Sequence, residues 1–295
     1  VTPIRHAYLH GFASSNFSRK GQALRRFYAE QGRELHTPNL NAPSFAELTY
    51  TSMLGALDEF DRALDEREGS GPEPARWRFV GSSMGGYLAA RWAQLHPERV
   101  DRLILLCPAF DFVARWPTLI GPDNFERWRE RGHMSLPDGT GTPVDVHFGL
   151  VEDAMTHPPR PIVTCPTVII HGTRDTIVPI ESSRSYAQAQ PQVRLVEVDD
   201  DHLLANSLET IEAHALRELI APKPTLYWDF FGPTAQGTAE HFHGHLDEFL
   251  AREGFADCET GVEGVEPGRH VAAWCRCPEE LVSTLGRALR PRRVE

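Results

Sequence analysis

Along residues 1–220, short and nearly unbroken apolar runs alternate with longer stretches in which apolar residues recur every three or four positions. The runs are Ile4–Leu9, the segment ending at Phe79 and Val80, and 102–107, 167–171 and 194–198. Runs of this kind fit parallel strands covered on both faces. Helical spacing appears over 20–31, closed by Gly32, and over 44–67, where Leu48, Met53, Leu57, Phe60 and Leu64 share a face. It returns from Tyr87 to a stop at His96 and Pro97, and again over 205–219. A short strand is expected at 34–37, a turn-rich stretch at 38–43 and a surface loop at 69–74. The alternation predicts an α/β fold with a doubly wound, mostly parallel sheet.

Two segments break the rhythm. Residues 109–165 are too long for a simple crossover and carry Trp116, Phe125, Trp128, Met134, Phe148 and Met155 among prolines and glycines. This insertion is expected to be a lid, with some of those side chains lining a substrate pocket. After the proline-rich stretch 221–224 the pattern changes again, dividing the chain into 1–222 and 223–295. The second part reads as a small α+β unit of βαββα order. It has strands at 225–231, 256–262 and 270–277, a helix over 234–253, a hairpin turn across 263–268, a last helix from Pro278 to about 289, and a basic tail at 290–293. So small a unit is expected to dock on the main domain or to join two copies of the chain.

Composition narrows the setting. A net charge of −11, spread along the chain, argues against nucleic acid or an anionic membrane as partner. No apolar run is long enough to span a bilayer, and no charged-then-apolar leader precedes the first strand. Five scattered cysteines form no disulfide framework, which points to a reducing compartment, taken here as the cytoplasm. Cys275 and Cys277 fall on one face of a strand and read as structural. His241 and His245 share a helix face beside His243, but no third ligand sits at a suitable offset, so no metal is expected.

The chemistry collects at strand ends. Gly81-Ser82-Ser83-Met84-Gly85 places Ser83 at the centre of G-x-S-x-G between a strand and a helix, the context of a nucleophile elbow. Asp175 follows the strand at 167–171, and His202 follows the strand at 194–198. A hydroxyl needs a base to take its proton, imidazole can do so near neutrality, and a carboxylate fixes the imidazole tautomer. Asp199, Asp200 and Asp201 are rivals for the acid, but as neighbours of His202 they would have to fold back. The loop His10-Gly11-Phe12 after the first strand suits an oxyanion hole, with Gly11 allowing close approach and the Phe12 amide pairing with that of Met84.

Together, residues 8–15, 80–87 and 171–179 with His202 resemble an α/β-hydrolase of the YqiA-like esterase type. The resemblance implies a cofactor-free serine hydrolase acting on a small ester with an apolar part. Ser83, Asp175 and His202 would form the triad, and the Phe12 and Met84 amides the oxyanion hole. The insertion at 109–165 is longer than in minimal esterases of that type. Thioesters, amides, C–C bonds and acyl transfer remain alternatives, as does a binding or assembly protein on the same scaffold.

Overall fold

The computed structural model describes residues 3–68, 74–221, 223–255, 258–266 and 269–295. Most of the 69–74 loop, Pro222 of the expected linker, residues 256–257 of an expected strand and the tip at 267–268 lie outside them. Contacts divide the chain into Val1–Ile220 and Ala221–Glu295.

The first unit is built on five parallel strands: β1 (Ile4–Leu9), β2 (Arg76–Ser82), β3 (Val100–Leu106) and, after a two-stranded hairpin β4 (His133–Pro137) and β5 (Pro143–His147), β6 (Thr167–Gly172) and β7 (Val193–Val198). They lie side by side as β1-β2-β3-β6-β7. Alternation within each strand explains the two layers of core. Leu9, Trp77, Phe79, Leu103, Leu105 and Ile169 face the helices Tyr50–Glu68, Met84–Leu95 and Ile180–Ala189. Tyr8, Val80, Ile104, Leu106, Val168 and Ile170 face Leu24 and Tyr28 of the helix Arg19–Glu30 and Ile211 of the helix Leu208–His214. Both faces are covered, so the strands read as continuous apolar runs, and the doubly wound α/β class is the one found. The expected strand at 34–37 shrinks to a single bridge, Ala7 to His36. The expected helix at 205–219 is α-helical over Leu208–His214 and widens into a π-helix over Ala215–Ile220.

Register lines up the strand ends. Leu9 pairs with Gly81, Ser82 with Leu106, Leu106 with Ile170, and Gly172 with Val198. The segments that follow β1, β2, β6 and β7 therefore all emerge on one edge, where ligands of such sheets bind.

The insertion folds into short helices at Trp116–Ile120, Pro122–Arg131 and Gly149–Ala154 around the hairpin β4–β5. Its aromatic residues pack mainly on one another: Trp128 meets Trp116 at 5.1 Å and Phe148 at 5.5 Å between ring centroids, and its Nε1 donates to the Val146 carbonyl at 2.9 Å.

The second unit is an antiparallel sheet of β8 (Thr225–Phe231), β9 (Glu259–Glu266), β10 (His270–Arg276) and β11 (Arg293–Val294), ordered β11-β8-β10-β9. Leu226, Trp228, Cys275 and Cys277 form its core with Leu246 and Leu250 of the helix Ala235–Glu253 and Leu285 of the helix Glu279–Leu289. The tail read as a basic end thus contributes an edge strand, with the Arg293 guanidinium stacked 3.7 Å over the Tyr227 ring. His241 and His245 meet through their Nε2 atoms at 3.2 Å on the exposed face of their helix.

A buried polar cluster anchors the helix Tyr50–Glu68 to the N-terminal ends of the strands. Asp61 accepts from Trp77 Nε1 at 2.7 Å and from Arg99 at 2.6 Å, while Arg5 reaches Asp65 at 2.6 Å and Glu68 at 2.8 Å. Asp61→Ala would leave a buried indole N–H and part of a guanidinium without partners. A loss of about 3 kcal/mol in urea unfolding is expected, against a much smaller change for Glu181→Ala at the exposed pair with Arg184.

Candidate active site

Ser83 sits between β2 and the helix Met84–Leu95 with φ 53° and ψ −117°, a conformation L-residues rarely adopt. The turn is this tight because the chain crosses itself there. A Cβ on Gly85 would lie 2.2 Å from the Leu9 carbonyl oxygen, and one on Gly81 would lie 2.5 Å from the Gly85 carbonyl oxygen. No residue but glycine fits either place.

His202, on the loop after β7, brings Nε2 to 3.0 Å from Ser83 Oγ and Nδ1 to 2.7 Å from Asp175 Oδ2. An ionised carboxylate only accepts, so Nδ1 carries the proton and Nε2 offers its lone pair to the serine hydroxyl. The three expected triad residues therefore meet. The rival acids are occupied elsewhere. Asp200 is buried and accepts from the Asp201 and Asn206 amides and the Ser207 hydroxyl, which shapes the His202 loop. Asp199 pairs with Arg174, and Asp201 accepts from the Leu203 amide.

Asp175 is held more firmly than the sequence suggests. Its Oδ1 accepts from the Ile177 and Val178 amides at 2.9 and 2.8 Å, and its Oδ2 lies 3.2 Å from His171 Nε2. Burial pushes this carboxyl's pKa up, but the hydrogen bonds from His171, His202 and the Val178 amide outweigh it, and the net shift is well below the ordinary carboxylate range. His171 is fully buried; its Nε2 also meets the Val178 carbonyl at 2.9 Å and its Nδ1 meets Ser183 Oγ at 2.8 Å. Two acceptors face Nε2, so the proton is there and Nδ1 accepts from Ser183. Cys107, His171 and Asp175 bring potential ligand atoms within 4.8 Å of one another. Both imidazole nitrogens and the carboxylate are already committed, so this donor set does not suit a metal.

The loop His10-Gly11-Phe12 lies against the serine: a Cβ on Gly11 would stand 3.2 Å from Ser83 Cβ and 3.8 Å from Oγ. Among the described residues, neither the Phe12 nor the Met84 amide has a hydrogen-bond partner. His10 shapes this loop, with Nδ1 donating to the Gly11 carbonyl and Nε2 accepting from the Leu40 amide, each at 3.0 Å. Phe12 packs its ring between Phe45 and Trp116.

Two neighbours were not singled out from the sequence. One is His171, which reads there only as the end of a strand. The other is Lys20, whose Nζ donates to Ser82 Oγ at 3.1 Å and whose pKa burial lowers. Its rarity was the available signal, since Lys20 and Lys223 are the chain's two lysines.

A cavity of about 400 Å³ is lined by Tyr50, Tyr87, Ala109, Phe112, Met155 and His157 among others, and Ser83, Asp175 and His202 are not among its lining residues. Of that lining, Ala109 donates its amide to the Ser83 backbone carbonyl at 3.0 Å. Of the six large side chains expected as pocket-lining candidates, Met155 lines this cavity; Trp116, Trp128 and Phe148 are instead buried in the core.

Comparison with known proteins follows the fold. An uncharacterised protein family, UPF0227, matches residues 6–217. The mitochondrial palmitoyl-protein thioesterase ABHD10 of Rattus norvegicus is 29% identical over 151 residues, covering 45% of this chain and 50% of that protein. A pimeloyl-[acyl-carrier protein] methyl ester esterase of Chromobacterium violaceum is 27% identical over 158 residues, covering 43% and 61%. The chain thus spans about half the length of the curated relatives it matches. Among solved structures, alpha/beta hydrolase domain-containing protein 10 from mouse superposes with a TM-score of 0.57 at 22% identity, over 75% of this chain and 90% of that one. The core has the α/β-hydrolase fold.

The expected cytoplasmic setting is overturned, because the ABHD10 relatives of rat, mouse and human are mitochondrial proteins by name. None of the described helices is long and apolar enough to cross a membrane.

The Asp175 geometry sets a pH dependence of stability. A carboxyl whose folded pKa lies below its unfolded value of about 4 adds stability above that pH and loses it as pH falls toward the folded value. Melting temperatures of wild type and Asp175→Asn should therefore differ most at pH 6–7 and converge progressively below about pH 4.

Proposed function

The chain belongs to the uncharacterised protein family UPF0227, and from that footing we propose that it is a serine hydrolase of the YqiA-like esterase type, cleaving carboxylic esters through an acyl-enzyme on Ser83. One observation carries the reading: the continuous chain from Ser83 Oγ through His202 to Asp175, at 3.0 and 2.7 Å. Oγ attacks the ester carbonyl carbon as its proton passes to His202 Nε2. The negative oxygen of the tetrahedral intermediate is received by the Phe12 and Met84 amides. Collapse breaks the bond to the alcohol, which leaves with the proton from His202. Water then repeats the sequence and frees the acid.

Cys107 is the other nucleophilic atom near the triad, and its environment disfavours it. Its thiol is buried, burial pushes its pKa up to about 12, and the base His202 is engaged with Ser83. A second reading, thioester hydrolysis by the same residues, is favoured by the name of the rat relative, a palmitoyl-protein thioesterase. The methyl ester esterase from C. violaceum favours the oxygen ester. Both readings transfer an acyl group to water.

A fluorophosphonate probe should label the wild-type protein on Ser83 and fail to label Ser83→Ala. That variant should lose about 10³-fold or more in kcat/KM on p-nitrophenyl esters, while Cys107→Ser keeps both labelling and turnover. Labelling that survives in Ser83→Ala would exclude Ser83 as the nucleophile. Turnover of one acyl chain presented as an oxygen ester and as a thioester separates the two readings.

A further inference from the structure

Asp175 serves two serine–histidine pairs. In the first, Ser83 Oγ stands 3.0 Å from His202 Nε2, and His202 Nδ1 donates to Asp175 Oδ2 at 2.7 Å. In the second, the Ser183 hydroxyl meets His171 Nδ1 at 2.8 Å, and His171 Nε2 lies 3.2 Å from the same Oδ2. Ser183 and His171 are both fully buried, so no substrate reaches this second pair. Whatever it contributes to catalysis passes through the acid.

Two acceptors, the Val178 carbonyl at 2.9 Å and Asp175 Oδ2, face His171 Nε2, so that nitrogen carries the proton and Nδ1 accepts from Ser183. Val178 also donates its amide to Asp175 Oδ1 at 2.8 Å, so the ring grips the acid's turn by backbone and carboxylate together. Oδ2 therefore faces N–H groups from two imidazoles. Each hydrogen bond to a carboxylate stabilises its charge and makes it less basic. A less basic Asp175 holds the His202 imidazolium less tightly, and that hold helps set the pH at which His202 takes a proton. The other ionisable groups around the acid act differently. The Cys107 thiol beyond β3, hydrogen-bonded to Asp175, is kept protonated by burial and is a weak donor. Lys20 of the helix Arg19–Glu30 reaches Asp175 through its charge, its Nζ being bound to Ser82. Glu197, level with His171 on β7, is paired with Arg184 at 2.7 Å. Asp200 and Asp201 accept from backbone amides of their own loop.

We propose that His171 is a positioning residue for catalysis: it holds Asp175 in line with His202 and, by sharing Oδ2, keeps His202 an unprotonated base to lower pH. This rests on the serine-hydrolase reading above. Ser183 completes the device, because its hydroxyl proton occupies Nδ1 and leaves the His171 N–H turned toward the acid.

The test is the pH dependence of kcat/KM on p-nitrophenyl acetate, whose acid limb reports the base of the free enzyme. His171→Phe, which keeps a ring but no donor, should move the midpoint of that limb up by about half a pH unit or more. His171→Gln, which carries an N–H donor in place of the ring's, should bring it back toward wild type. Asp61→Ala, which weakens the fold at the far end of the strands, should leave the midpoint where it is. An unmoved midpoint in His171→Phe, or an equal upward shift in Asp61→Ala, overturns the proposal. Should His171→Phe fail to fold, the full chain labelled with ¹⁵N-histidine decides. Between about pH 5 and 8, wild type should keep the His171 proton on Nε2, and the titration midpoint of His202 should rise in Ser183→Ala. A proton on His171 Nδ1, or a His202 midpoint unmoved in Ser183→Ala, overturns it. Should no ester be turned over, the hydrolase reading fails separately, and these spectra still decide the part played by His171.

Discussion

The site hangs on one buried carboxylate. Asp175 accepts from two backbone amides and lies against two imidazoles, and an ionised group so enclosed is tolerable only because every partner is in place. The partners come from different parts of the fold. His171 is a residue of β6 tied to the helix Ile180–Ala189 through Ser183, and His202 comes from the loop after β7, which Asp200 shapes from within. The position of the base is therefore set by the sheet and a helix together. Ser83 is fixed independently, by a backbone crossing that leaves no room for side chains at Gly81 and Gly85. Two rigid constructions meet at a 3.0 Å contact.

The insertion plays a different part from a simple lid. Its aromatic residues close on themselves and on Phe12, whose ring meets Trp116 edge-on. The hairpin tip rests against the same loop, where a Cβ on Gly139 would come 3.0 Å from Ser14. The insertion thus packs against the loop after β1 with its middle, and its two roots, within Ala109 to Ala114 and Ala154 to Pro159, line a cavity.

The sheet was legible in the sequence because strands buried on both faces leave uninterrupted apolar runs, and Ser83, Asp175 and His202 were legible because each follows such a run. The elbow's glycines announced a close backbone approach. What stayed hidden were partnerships across the fold. His171 looks like any strand residue until β6 is placed beside the Asp175 turn, and the contact of Thr51 with His157, 106 positions away, shows only in the fold. The tryptophans of the insertion misled for a related reason. Large apolar side chains serve a pocket wall and a core equally well, and composition does not say which side of a loop faces inward. Arg293 reads as the end of a basic tail because two residues carry no periodicity; pairing with β8 makes Arg293–Val294 a strand.

The high pKa of Cys107 has a consequence beyond its exclusion as a nucleophile. Burial raises the thiol pKa and so disfavours the thiolate at neutral pH. Peroxides and disulfides react with thiolates, so this sulfur atom close to Asp175 is shielded from them by protonation as well as by burial. Hydrolysis resting on the Ser83 oxygen would then continue through oxidative stress that silences enzymes with a thiolate at the same point of their cycle.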